Sequence, residues 1–242
     1  MRVKATISYD GSKFLGFQRQ KSSTNTVTQT IESALESIGI ESKIRGSGRT
    51  DRGVHATGQV IDFLLPPFWQ KKSLIELKSR LNSKLRYIKF LYIKEVDTLF
   101  HSQYGAKKRI YRYIIKLTPN TPFDIDYTSY YKIKDKNLLI KALNLFKGEH
   151  NFKFFKKEGS FTSSDTRVIY NVKVVFIKDY IVVYFIANGY LRSQVRMMVE
   201  SAILVSNNKL TLKELKEQID TIKRHTTSLA KPEGLYLAKV IY

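Results

Sequence analysis

Within the stretch "GSGRTDRGVHATGQV" (46–60), one carboxylate, Asp51, stands between Arg49 and Arg52 among four glycines. A carboxylate can add to carbon as a nucleophile or take a proton as a general base. A neighbouring cation favours the ionised form that either role needs. The glycines let the backbone take positive φ and let a bulky ligand approach closely. A second reading stays open: Asp51 as a turn residue and the arginines as a solvated face. Nucleotide-loop readings fail on context. A dinucleotide fingerprint must open a helix, whereas "HATGQVIDFLL" reads as strand, and a P-loop needs Lys-Ser or Lys-Thr where Val54-His55 follow.

Other chemistries are narrowed by what the chain lacks. It has no cysteine, which excludes disulfides, thiolate catalysis and cysteine-bound metals. His55, His101, His150 and His225 are widely spaced, so the expectation is no metal and no cofactor. No apolar run approaches the roughly 20 residues that span a bilayer, and the start reads as a strand without a signal-peptide core. The expectation is a cytoplasmic protein with no membrane partner. Charge is the strongest bulk signal: 42 Lys plus Arg against 21 Asp plus Glu leave a net charge of +21 in 242 residues. Such a surplus attracts polyanions, because neutralising phosphates releases counterions. Residues 1–105 carry +8 and residues 106–242 carry +13, so the charge belongs to the whole chain.

The elements that must position these residues show in the hydrophobic period. "RVKATISY" (2–9) reads as a strand, Thr26 to Ile40 as a helix with Asn25 as N-cap, and 43–46 as a short strand before the quoted loop. "GQVIDFLL" (58–65) is strand again, about 70–83 is a helix with Leu74, Leu77 and Leu81 on one face, and 88–96 is a strand. The second half repeats the order. Strand 109–117 is followed by helix 136–147, strands "TRVIYNVKVVFI" and "YIVVYFIA", helix 191–205, an extra helix at about 211–223, and a last strand "GLYLAKVIY". Two successive β-α-β-β-α-β units predict an α+β fold of two ferredoxin-like subdomains, 1–105 and 106–242. Together they would make a continuous antiparallel sheet with a cleft at their junction.

Six ordered blocks carry a resemblance. "YDGSKFLGFQRQ" (9–20), "GRTDRGVHA" (48–56), "AKKRIYRYII" (106–115), "GEHNFKFF" (148–155), "VRMMV" (195–199) and "KPEGLYL" (231–237) together resemble the tRNA pseudouridine synthase A family. The resemblance implies a pseudouridine synthase fold, usually a homodimer. It also implies isomerisation of uridine to pseudouridine at positions 38, 39 and/or 40 of the tRNA anticodon stem-loop. By the same resemblance Asp51 is the catalytic carboxylate, and Arg196 is its partner. Tyr111 is an aromatic wall for the extruded base, Arg49 enters the vacated place in the RNA helix, and Leu235 lines the pocket. His55 reads as a structural residue that holds the loop. Four sets of departures stand out: Phe17 for a tryptophan, Val27-Thr28 for Val-Gln, Leu85-Arg86 for Leu-Pro, and Arg192, Ser193, Gln194 and Met197 in "YLRSQVRMM" for "FLxHMVRN". These bear on substrate positioning.

Strand alternation alone puts Arg109, Tyr111 and Tyr113 on one face of their strand. An aromatic beside arginines there suits base stacking. The rival reading is a tandem RNA-binding protein without catalysis, which would have no use for a carboxylate in a basic groove.

Overall fold

The computed structural model describes residues 1–159 and 162–242. In chain order the strands and helices are β1 (Arg2–Tyr9), α1 (Val27–Glu36), β2 (Arg45–Gly46), β3 (His55–Leu64), α2 (Pro67–Gln70), α3 (Leu74–Lys84) and β4 (Ile88–Val96). There follow β5 (Lys108–Lys116), β6 (Ser129–Tyr130), α4 (Lys136–Asn144), β7 (Gly148–Asn151), β8 (Thr166–Ile177), β9 (Tyr180–Ala187), α5 (Gln194–Ser206), α6 (Leu212–Ile219) and β10 (Leu235–Ile241). The chain groups into two compact units, residues 1–107 with 236–242, and residues 108–235. The division at 105/106 expected from the repeat differs in its last strand: most of β10 belongs with the first unit. The reason is its parallel pairing with β3, Tyr236 opposite His55 and Leu237 opposite Ala56.

In the first unit β1 lies between β4 and β3, antiparallel to both, and β2 flanks β3. Burial alternates strictly along β1, with Val3, Ala5, Ile7 and Tyr9 inward, so one face meets the core. β3 is buried at eight of its ten residues, the pattern of a strand covered on both faces. That core strand carries a charge: Asp62 is fully buried and accepts from Arg2 (2.6 Å), Arg45 (2.5 and 3.0 Å) and the Ser102 amide (2.9 Å). Burial pushes its carboxyl up, and these donors more than reverse that, holding it below the usual carboxylate range.

In the second unit β5, β9, β8 and β7 follow one another, all antiparallel, with β6 beside β5. Strands β8 and β9 match the segments expected from sequence residue for residue and meet at Lys178-Asp179. Helix ends shift. Thr26, not Asn25, caps α1, accepting from the Gln29 amide. The helix stops at Glu36 because Gly39 N–H bonds to Glu36 C=O and Ile40 N–H to Leu35 C=O, a Schellman closure. α5 starts at Gln194 rather than Leu191 because Ser193 is left-handed (φ 59°). α6 ends at Ile219, and β3 begins three residues early, at His55. The two-residue β6 and the four-residue β7 were not expected.

Candidate active site

The loop from Ser47 to Val54 joins β2 to β3, and its backbone is tied down on several sides. Thr50 C=O accepts from the Phe17 amide (3.1 Å), and its hydroxyl meets the Tyr9 hydroxyl in a buried bond of 2.8 Å. Val54 N–H closes a turn onto Asp51 C=O at 3.1 Å. Gly53, at the third position of that turn, has φ 79°, the place where a type II turn requires glycine. The Ser47 end is bound to β3: its amide donates to Val60 C=O, its hydroxyl to Gln59 Oε1 (2.7 Å), and Gln59 Nε2 to Gly48 C=O (2.8 Å). At the far end His55 is 2 % exposed, accepts from the Gly11 amide at 3.0 Å and stacks on Tyr236 at 4.6 Å. His55 thus holds the loop, as its sequence context suggested. Out of this frame the chain presents Asp51 half-buried, with Arg49 and Arg52 exposed on either side. A carboxylate held this way meets a ligand without first ordering its own backbone.

Tyr111, Arg196 and Leu235 lie in the second unit. Tyr111 is on β5 opposite Phe185 of β9, on the face it shares with Tyr113 and Ile115. Its ring is buried and meets Tyr190 edge-on, 5.1 Å between centroids at 85°. Arg196, half-buried in the first turn of α5, donates from Nε to Ala230 C=O (2.6 Å), while the Ala230 amide donates to Arg196 C=O (3.1 Å). The next residue, Lys231, is held as firmly: Tyr113 Oη donates to its carbonyl (2.7 Å) and its amide donates to Tyr131 Oη (2.8 Å). These bonds fix the run that ends at Leu235, which is 5 % exposed at the start of β10. Burial pushes the Tyr113 phenol well above its ordinary range, so it stays a neutral donor.

The departures from the family pattern do structural work here. Gln194 is fully buried and ties down the turn ahead of its helix, its Oε1 accepting from the Leu191 amide at 2.7 Å. Met197 lies in the core, and Thr28 sends both its amide (2.9 Å) and its hydroxyl (2.7 Å) to Phe17 C=O. Sequence reasoning missed Tyr190, Gln59 and Tyr9 as supports. Only Tyr190 had a local signal, an aromatic just before the helix that carries Arg196.

The sequence pattern of the family described as tRNA pseudouridine synthase matches residues 5–105 and 142–242. The chain belongs to the tRNA pseudouridine synthase family. Its class is therefore that of isomerases, with the mixed α+β fold of that family. The tRNA pseudouridine synthase A of Helicobacter hepaticus is 43 % identical over 243 residues, covering 99 % of this chain and 98 % of that protein. Proteins of the same name from Wolinella succinogenes (37 %, covering 98 % of this chain and 93 % of that protein) and Helicobacter pylori strain HPAG1 (38 %, covering 99 % and 98 %) are similar as well. No helix among the described residues is long and apolar enough to cross a membrane, and no group of three or more of their acidic or histidine side chains is placed to hold a metal.

Proposed function

We propose that the chain converts uridine to pseudouridine in the anticodon stem-loop of tRNA, at one or more of positions 38 to 40, with Asp51 as the catalytic carboxylate. The observation that carries this reading is the anchored loop that presents a half-buried Asp51 between two exposed arginines, in a chain of this family. The reaction breaks the N1–C1′ bond, forms C5–C1′, and moves the C5 proton away as N1 gains one. Substrate and product are isomers, so the step balances without oxidant or reductant. Asp51 serves either by adding to C1′ or by removing a ribose proton and later helping to deprotonate C5.

The base must first leave the stack, at a cost of a few kcal/mol. Arg49, exposed beside Asp51, is suited to fill the place the base vacates. Tyr111 supplies an aromatic wall, Leu235 an apolar lining, and Arg196 a guanidinium partner for the carboxylate. Much of the affinity is phosphate contact from a chain of charge +21, so it weakens as salt rises. From the family resemblance alone we also propose a homodimer that acts in the cytoplasm, and light scattering on the purified protein tests the dimer.

The deciding experiment maps pseudouridine in tRNA with and without the protein, for the wild type and for Asp51→Ala. The wild type is expected to modify the anticodon arm. The variant is expected to lose activity by at least about a thousandfold while its tRNA affinity stays within a few-fold. A wild type that binds tRNA and leaves every uridine intact would instead establish the tandem binding protein.

A further inference from the structure

We propose that Glu200 is a positioning residue that sets the Arg196 guanidinium, acting through Tyr131 and the peptide unit that joins Ala230 to Lys231. The path lies wholly in the second unit. Arg196 and Glu200 are four residues apart on α5, so they leave one face of the helix a turn apart. Glu200 Oε2 accepts from the Tyr131 hydroxyl at 3.1 Å, and the Tyr131 oxygen accepts from the Lys231 amide at 2.8 Å. That amide and the Ala230 carbonyl are the two ends of one planar peptide unit. The carbonyl end accepts from Arg196 Nε at 2.6 Å. A turn of the peptide plane made at Tyr131 is therefore felt at the guanidinium.

The bonds of this path reinforce one another. A carboxylate that accepts a hydroxyl proton makes the phenol oxygen a better acceptor. An amide that donates to that oxygen makes its own carbonyl a better acceptor for a cation. Glu200 and Arg196 stand at the two ends with opposite charges, so the polarisation runs one way throughout. The middle of the path is held from outside it. The Tyr131 amide donates to Lys116 C=O (3.1 Å) at the end of β5, and Tyr113 Oη donates to the Lys231 carbonyl (2.7 Å). Ala230 is fully buried, so a bond lost at its carbonyl is not readily regained from water.

Glu200 is half-buried against Tyr131 rather than turned out into solvent. Burial pushes its carboxyl above the ordinary range, and the Tyr131 hydroxyl and the charges of Lys209 and Lys231 pull it part of the way back. Burial also raises the Tyr131 phenol, which keeps it a neutral hydroxyl able to donate and accept at once. Packing by itself has no use for such a carboxylate, since an apolar side chain would fill the place without the cost of desolvation. Fixing the direction of the phenol proton does use it. The bearing of this path on turnover rests on the reading of Arg196 as the partner of Asp51; the path itself does not.

The test uses Glu200→Leu, Tyr131→Phe and Arg196→Lys in the full chain, well below their melting temperatures. The first readout is the Arg196 Nε–H signal in a nitrogen–proton NMR spectrum, assigned by its loss in Arg196→Lys. Glu200→Leu and Tyr131→Phe are each expected to shift that signal and to speed its exchange with water about threefold or more. An unmoved signal in Glu200→Leu overturns the proposal, whether or not Tyr131→Phe folds. The second readout is turnover. Glu200→Leu is expected to lower kcat about three- to tenfold, with affinity for an unmodified tRNA transcript within about twofold of wild type. In the Arg196→Lys background, where Nε is gone, Glu200→Leu is expected to change kcat by less than about twofold, because it acts only through that atom. The same loss of kcat in both backgrounds overturns the proposal, since Glu200 would then support the helix as a whole. If Arg196→Lys turns over as fast as wild type while Glu200→Leu still moves the Nε–H signal, the path stands and the part given to Arg196 in the reaction falls.

Discussion

Asp51 rides on a loop whose backbone is bound at Ser47, Thr50 and Val54, whereas Tyr111 sits in mid-strand and Arg196 in the first turn of a helix. In the first unit the proposed catalytic group is placed by main-chain bonds and by neighbours that touch the loop's backbone. In the second it is placed by the packing and hydrogen bonds of the side chains themselves. The two means fail differently. A change beside the loop moves the whole backbone that carries Asp51, while a change at Tyr111 or Arg196 alters one side chain and leaves the element intact.

The largest effect expected is at Asp62, which braces β2 ahead of the loop. Asp62→Asn faces Arg2 and Arg45 with a neutral amide and is expected to cost about 3–5 kcal/mol, read as a lower denaturant midpoint. Its depressed pKa fixes the sign of the pH effect. The stabilisation is fully present above the unfolded carboxylate value, about pH 4, and is lost as pH falls through the lower folded value. Acid unfolding of the variant should lack that component.

Next comes Gly11→Ala. The new methyl group would lie 2.1 Å from Val54 C=O, which is backbone, so the loop must shift. The expected cost is about 1–3 kcal/mol with a fall in kcat at unchanged tRNA affinity. If activity survives at full rate, backbone placement of Asp51 is not what the loop provides.

Smaller effects sharpen the contrast. Tyr9→Phe removes the buried bond to Thr50 and should cost about 1 kcal/mol in thermal unfolding, with a modest loss of kcat. Tyr111→Phe keeps the edge-on contact with Tyr190, so the loss of stability should stay within about 1 kcal/mol, the scale of one hydroxyl's hydrogen bonding. A drop in turnover there, without a drop in melting temperature, assigns work to the hydroxyl. A drop in both would place Tyr111 among the supports and erase the difference between the units.

Much of this was legible in the residues. Strands β8 and β9 followed from their runs of Val, Ile, Tyr and Phe, and the extra helix expected at about 211–223 is present over Leu212–Ile219. The Asp51 loop stood out because its residue types fit no nucleotide motif. The anchors of that loop were not legible. Tyr9 and Thr50 are 41 residues apart, and Gly11 and His55 are 44 apart, so nothing local pairs them.

By itself the amino-acid sequence determined the order of the longer strands and helices, the face they turn inward, and the positive charge that suits a polyanion. These depend on local period and composition. Tertiary structure alone decided that β10 joins the first unit beside β3, and which distant residues grip the loop around Asp51. Such outcomes turn on contacts between residues remote in the chain, whose partners exist only once the sheets have formed.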